Sequence, residues 1–322
     1  MGDDMRLVTK ADIVDAARRI DGFVVRTPLV PTTLRGRSLW LKPENLQAIG
    51  AFKIRGATNV LSQLSDDQKQ HGVVAYSSGN HAQAVAHAAL LAGVAAVIVI
   101  DDTAPSLKID ATKALGAEVR TVPLAQRATV AQELADERGA TLIPPFDHPG
   151  VIAGQGTIGL EILADLPDAD VVLIPVSGGG LAAGIGVAIK SIRPATAVFG
   201  VEPELAGDAQ ASLAAGHLVH WPVENRIRTI ADGLRAEPSE LTFAHLQRVL
   251  DGIVTVSEQE IRTAVALLAT RARLVAEPAG AVATAAALFR SAELPRGKTV
   301  AVVSGGNIDP RLFLEILSEA GG

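Results

Sequence analysis

Two periodicities alternate along most of the chain. Short runs rich in valine, isoleucine and leucine read as strands, and between them apolar residues return every three or four positions, as on helices. Residues 11–19 are predicted as a helix and 38–41 as a strand. A helix starting at Lys53 places Ile54, Ala57, Val60 and Leu61 on one face. Strands are predicted at 73–76, 95–100, 118–122 and 141–143, separated by helices at 80–92, 106–115 and 128–138. Pro144-Pro145 and Pro149-Gly150 punctuate the chain there. The alternation resumes with a helix at 157–166, a strand at 171–176, a helix at 181–191 and a strand at 197–201. Helices at 257–272 and 280–289, a strand at 299–303 and a helix from Pro310 complete the pattern.

Strands alternating with helices specify an α/β fold with doubly wound parallel sheets. The βα array of residues 68–148 is expected to form a small domain. It interrupts a larger domain built from residues 1–67 and 149–322, and the active site is expected in the cleft between the two.

Composition supports this fold class. The 322 residues are 48% hydrophobic with only 3% aromatics, as suits helices packed on buried parallel strands. A net charge of -6, without basic runs, argues against a nucleic-acid partner. The absence of cysteine excludes disulfides and thiol catalysis. The acidic, polar start does not resemble a signal peptide, and the longest apolar run, 88–100, is too short to span a bilayer. A soluble cytoplasmic protein without membrane association is expected.

Chemistry concentrates where strands end. Ser177-Gly-Gly-Gly-Leu-Ala-Ala183 follows one strand and opens a helix, so successive N–H groups can converge on phosphate oxygens. A tight strand-to-helix turn explains one glycine, not three. Gly178, Gly180 and Ala183 also satisfy the dinucleotide fingerprint, with Glu202 about one strand later, which keeps an NAD-dependent dehydrogenase open. Lys53 opens its helix at the positive end of the backbone dipole beside apolar Phe52 and Ile54. Both effects favour a neutral, nucleophilic amine able to condense with a carbonyl. Ser77-Ser-Gly-Asn-His81 also follows a strand, with Asn80 as the expected N-cap and an electrostatically sound place for a carboxylate. Ser304 ends the last core strand and points to the crevice. Glu202 and Asp208 flank a loop and suit a hard cation such as Mg²⁺ or Ca²⁺.

Gly50-Ala-Phe-Lys-Ile-Arg-Gly-Ala57 resembles the lysine segment of the fold-type II pyridoxal phosphate (PLP) enzymes, in their serine/threonine dehydratase and serine racemase branch. Ala51 stands where members often carry serine. Ile54-Arg55-Gly56 replaces the Asp-Arg of the sulfhydrylase and cystathionine synthase branches. The resemblance continues in order through Ser77–His81, Val151–Thr157, the glycine loop and Val303–Asn307. It implies Lys53 joined to PLP beside Phe52, and Ser177, Gly178, Gly179, Gly180 and Leu181 at the phosphate, with the Ser177 hydroxyl as a further donor. Asn80 is implied at the ring hydroxyl, Ser304 at the pyridine nitrogen and Glu277 nearby. Ser77, Ser78, Asn80 and His81 would receive the substrate carboxylate. Ser78 would face the substrate carbon opposite Lys53, and Arg127 would lie near the substrate carboxylates. The Ala206 carbonyl would join Glu202 and Asp208 around the cation.

The implied activity is elimination from L-threonine, L-serine or a related β-hydroxy amino acid, giving a 2-keto acid and ammonia. Serine racemase and threo-3-hydroxyaspartate dehydratase are the alternatives, and a homodimer is expected. The short chain after Ser304 leaves no room for an amino-acid-sensing domain, which favours a catabolic or unregulated enzyme. A dehydrogenase would have no use for the lysine segment. A non-catalytic phosphate-ligand sensor would not turn over L-serine.

Overall fold

The computed structural model describes residues 6–77, 79–102, 104 and 106–321. Its strands form two sheets. The larger contains β1 (Val30–Leu34), β2 (Arg37–Pro43), β7 (Val171–Pro175), β8 (Ala197–Pro203), β9 (Gly252–Val256) and β10 (Thr299–Val303), in the order β1-β2-β10-β7-β8-β9. Only the β1–β2 hairpin is antiparallel. The smaller sheet, β5-β4-β3-β6, is parallel throughout and contains β3 (Val73–Tyr76), β4 (Ala96–Asp101), β5 (Glu118–Val122) and β6 (Thr141–Leu142). All its strands lie between two groups of strands of the larger sheet in sequence. The architecture is therefore doubly wound α/β.

Each sheet is covered on both faces because its strands are apolar at successive positions. Along β10, Ala301 and Val303 enter one core cluster while Val300 and Val302 enter the other. Along β4, Ala96, Ile98 and Ile100 pack on one side, and Val97 and Val99 on the other. Crossover helices supply the covering layers, and parallel pairing brings the C-terminal ends of the strands to one edge of each sheet.

Several boundaries differ from the sequence pattern. The helix expected at 157–166 begins at Pro149 and runs to Asp165, with proline at its start and His148 Nδ1 accepting from Gly150 N. Its glycines serve close helix crossings. A Cβ on Gly154 would stand 2.6 Å from Gly56 Cα, and one on Gly184 would stand 2.2 Å from the Ile152 carbonyl oxygen. The helix expected at 257–272 is α-helical only over Glu258–Leu267. A π turn, Leu268–Ala272, follows and ends at Arg273 in the left-handed region. Strands β1 and β9 and the helices Asp66–His71, Asp208–Ala215 and Glu240–Val249 did not stand out in the apolar pattern. No described helix is long and apolar enough to cross a membrane.

Candidate active site

Lys53 is the first residue of the helix Lys53–Leu61, which has no side-chain cap and no acidic residue in its first turn. The segment before it is pinned to the end of β10. Phe52 N donates to the Ser304 carbonyl at 3.0 Å, Gly306 N donates to the Gly50 carbonyl at 2.9 Å, and Ala51 bridges Gly305. Lys53 Nζ donates to the Pro145 carbonyl at 2.6 Å and lies 5.1 Å from the centre of the Phe52 ring. Burial lowers its pKa from the usual lysine value to about 8. A substantial fraction of the amine is thus neutral near physiological pH, as the sequence led one to expect.

The glycine loop follows β7 directly. Gly179 holds φ +86° and opens the helix Gly180–Ile192, which no side chain caps, so its first N–H groups remain open to a ligand. The space beside the loop is filled by Phe146. A Cβ on Gly178 would stand 2.3 Å from the Phe146 ring, and one on Gly180 would stand 3.0 Å from Phe146 Cβ. Ser177 departs from its expected role as a phosphate donor. Its hydroxyl donates to the Ala236 carbonyl at 3.1 Å and accepts from Ala236 N at 3.0 Å, so its proton is engaged within the chain. Leu181 is buried in the core behind the loop.

Asn80, which follows β3 of the small sheet, meets the segment that follows β10. Sequence pattern assigned it as an N-cap, but Gly79 occupies that position and Asn80 is the first residue of the helix Asn80–Ala92. Its amide is drawn away by tertiary partners. Nδ2 donates to Glu277 Oε1 at 2.6 Å, and Oδ1 accepts from Asn307 Nδ2 at 2.7 Å. Glu277 precedes the helix Pro278–Phe289, and its N donates to the Gly305 carbonyl at 3.1 Å. Ser304 is buried, with Oγ 3.4 Å from the Ala279 carbonyl. Ser77 Oγ accepts from Gly79 N at 3.1 Å. Ser78 lies outside the described residues.

His81 sits deeper than a substrate-contacting role implies. Its ring is buried, and Nε2 donates to the Ile143 carbonyl at 2.8 Å. Burial, reinforced by the Lys53 charge, lowers its pKa to about 3, so it is neutral at physiological pH. Arg127 begins the helix Arg127–Arg138 and pairs with Asp101 at 3.3 Å, at the C-terminal end of β4.

Glu202, Ala206 and Asp208 form a separate group at the C-terminal end of β8. Glu202 is buried and accepts from Ala209 N at 3.0 Å and Gln210 N at 2.7 Å. Asp208 Oδ2 is buried without a hydrogen-bond partner. Desolvation and the Asp208 charge raise the Glu202 pKa well above the usual carboxylate range. Desolvation raises Asp208 to about 7. No cluster of three or more metal-ligating side chains occurs among the described residues. Two acids and an orphaned oxygen, with the Ala206 carbonyl close in sequence, nonetheless fit a hard cation.

The donor set also fits a phosphate-bearing aldehyde. The loop presents open N–H groups at an uncapped helix start, and a buried amine of lowered pKa lies on the other side of the Pro145-Phe146 segment. The sequence assigns no role to Pro145, Phe146 or Asn307. The first two are apolar and carry no chemical signal, whereas Asn307, a polar residue following Ser304-Gly-Gly, could have been flagged.

Comparison with known proteins agrees with this geometry. A family model described as pyridoxal-phosphate dependent enzyme matches residues 20–305. L-threo-3-hydroxyaspartate ammonia-lyase of Saccharomyces cerevisiae is 41% identical over 321 residues, covering 98% of each chain. L-threonine ammonia-lyase of Thermotoga maritima is 44% identical over 321 residues, covering 97% of this chain and 79% of that protein. The structure of maize serine racemase superposes with a TM-score of 0.91 at 36% identity, covering 98% of each chain. With Lys53, the glycine loop and Ser304 on two sheets of this topology, the chain belongs to the family of pyridoxal-phosphate dependent enzymes and has the fold-type II architecture.

Proposed function

We propose that this protein is an ammonia-lyase acting on L-threonine, L-serine or a related β-hydroxy amino acid. The observation that carries the reading is the buried Lys53 amine, with its pKa lowered to about 8, at the junction of the two sheets. The names of the similar proteins support the same chemistry. PLP, when bound, supplies an electron sink for the charge that develops at the substrate α-carbon.

The chain's own groups do the rest. The glycine loop and the start of the helix Gly180–Ile192 would hold the PLP phosphate, and Ser304 would partner its pyridine nitrogen. Asn80 would turn its remaining amide hydrogen to the ring hydroxyl, while the start of its helix would receive the substrate carboxylate. Lys53 takes the α proton as a general base, the β carbon–oxygen bond breaks, and hydroxide leaves as water once protonated. Hydrolysis of the resulting enamine yields the 2-keto acid and ammonia. Glu202, the Ala206 carbonyl and Asp208 would hold Mg²⁺ or Ca²⁺. The enzyme works as a cytoplasmic homodimer in amino-acid catabolism.

A second reading takes threo-3-hydroxyaspartate as the preferred substrate. Arg127, at the C-terminal edge of the small sheet, offers a cation for the additional carboxylate in exchange for Asp101. Assays of keto-acid and ammonia release from both enantiomers of serine, threonine and threo-3-hydroxyaspartate separate the readings. Release is expected from at least one L-substrate and is expected to vanish in Lys53→Ala. No release from any of the panel would sink the ammonia-lyase reading.

A further inference from the structure

The lysine helix is shared between the two sheets. Ile54, Ala57, Val60 and Leu61 pack into the core on one face of the small sheet, with Val73, Ala75, Ala82 and Val85. Arg55 projects elsewhere. It stands about 200° around the helix from Lys53 and about 3 Å further along the axis. Its side chain therefore leaves from nearly the opposite face to the reactive amine.

That side chain is fully buried and forked onto two carboxylates. Nε and Nη2 donate to Glu44 Oε2 and Oε1 at 2.7 and 2.8 Å. Nη1 and Nη2 donate to Glu161 Oε1 and Oε2 at 2.6 and 2.9 Å. Nη1 also reaches Thr157 Oγ1 at 3.1 Å, and Nη2 reaches the Val25 carbonyl at 3.2 Å. Lys42 Nζ, equally buried, donates to Glu161 Oε2 at 2.5 Å and to the Thr27 carbonyl at 2.6 Å. Glu44 directly follows β2, and Glu161 lies in the helix Pro149–Asp165, so both carboxylates belong to the large-sheet side.

The arrangement answers an electrostatic problem. The helix opens with a buried guanidinium at its third position and no acid in its first turn, which the helix dipole opposes. Glu44 and Glu161 supply the missing negative charge from outside the helix. Lys42 and Arg55 balance the two acids, leaving the buried group neutral overall. A hydrophobic contact at this point would hold the helix but not its rotation, whereas two bidentate forks fix both.

We propose that Arg55 is a positioning residue for Lys53. By anchoring the first turn of the helix to β2 and the Pro149–Asp165 helix, it keeps the amine in register with Ser304 and the glycine loop against the pull of the small-sheet core. The proposal rests on Lys53 being the reactive amine.

The test uses purified holoenzyme of wild type, Arg55→Lys and Glu161→Gln. Arg55→Lys keeps the charge and loses the fork. It is expected to lower kcat about 10- to 100-fold while KM moves less than about threefold, as a misplaced reacting group does. The pH midpoint of the absorbance band of the lysine-bound cofactor is expected to shift with it. Glu161→Gln leaves the Glu44 fork intact and is expected to change both readouts in the same direction by less. It decides the question if Arg55→Lys does not fold. Folded variants with wild-type kcat and an unshifted absorbance titration, altered only in melting temperature, overturn the proposal. Lack of turnover by the wild type condemns the ammonia-lyase reading instead, and the absorbance titration then decides the role of Arg55.

Discussion

Asn80 Nδ2 donates to Glu277 Oε1 at 2.6 Å, joining the helix that follows β3 of the small sheet to the residue that precedes a helix of the large one. Asn307 completes the chain by donating to Asn80 Oδ1 at 2.7 Å and to the Ile49 carbonyl at 2.9 Å. The amide is thereby held with its nitrogen toward Glu277. Asn80→Ala should cost about 1–3 kcal/mol, because the charged-group hydrogen bond is lost and buried partners are left unsatisfied. A thermal melt and a PLP titration of the apoprotein measure the two consequences. Unchanged affinity together with an unchanged melt would remove Asn80 from the cofactor site.

Lys53 sets the alkaline behaviour. Its folded pKa, about 8, lies below the usual lysine value because burial penalises the charged form. The free amine is the base, so the proton-abstraction rate should rise with pH and level off above about 8. Between about 8 and the ordinary lysine value the unfolded chain binds more protons at this site than the folded one. This group's contribution to apoprotein stability should therefore increase with pH across that window. Single-turnover kinetics and melts at a series of pH values check both signs. A rate that falls through the same window would assign the base to another group.

Glu202 and Asp208 act in the opposite sense. Their raised pKa values mean that the folded chain binds more protons than the unfolded one above the ordinary carboxylate range, so stability from these groups is present in acid and lost as pH rises through their folded pKa values, about 7 for Asp208. Mg²⁺ or Ca²⁺ should raise the melting temperature at pH 8 by several degrees more than at pH 5. Equal shifts at the two pH values, or none, would count against a cation between these acids.

Gly178 tests the phosphate cradle. An alanine Cβ there would press on the Phe146 ring at 2.3 Å and force it aside. Gly178→Ala is expected to lose about 1–3 kcal/mol of stability and at least about tenfold in PLP affinity. Equilibrium titration with PLP measures the second term. Full retention of affinity would place the phosphate elsewhere.

Ser78 addresses racemisation, which needs an acid–base group on each face of the α-carbon. Wild-type enzyme should form D-serine from L-serine slowly compared with pyruvate. Ser78→Ala should abolish D-serine formation while elimination continues, as chiral chromatography beside a pyruvate assay would reveal. Undiminished D-serine would mean that another group serves the second face.

Local periodicity determined much of this protein. The apolar runs of β3, β4, β7, β8 and β10 announce buried parallel strands because residues on both faces must be apolar when helices cover both sides. Gly178–Gly180 and Lys53 were legible because their chemistry needs particular residue types at particular points on a turn and a helix start. Only the tertiary structure decided the rest. It set the glycines 154, 156 and 159 at helix crossings, since the approach of another backbone leaves no local trace. It turned Asn80 from an expected cap into a link with Glu277 and Asn307, and gave His81 to the Ile143 carbonyl. It gathered Arg55 with Glu44, Glu161 and Lys42, partners separated by up to 119 residues along the chain. A buried charge is tolerated only where the fold brings its counter-charges, and sequence order does not reveal which carboxylates those will be.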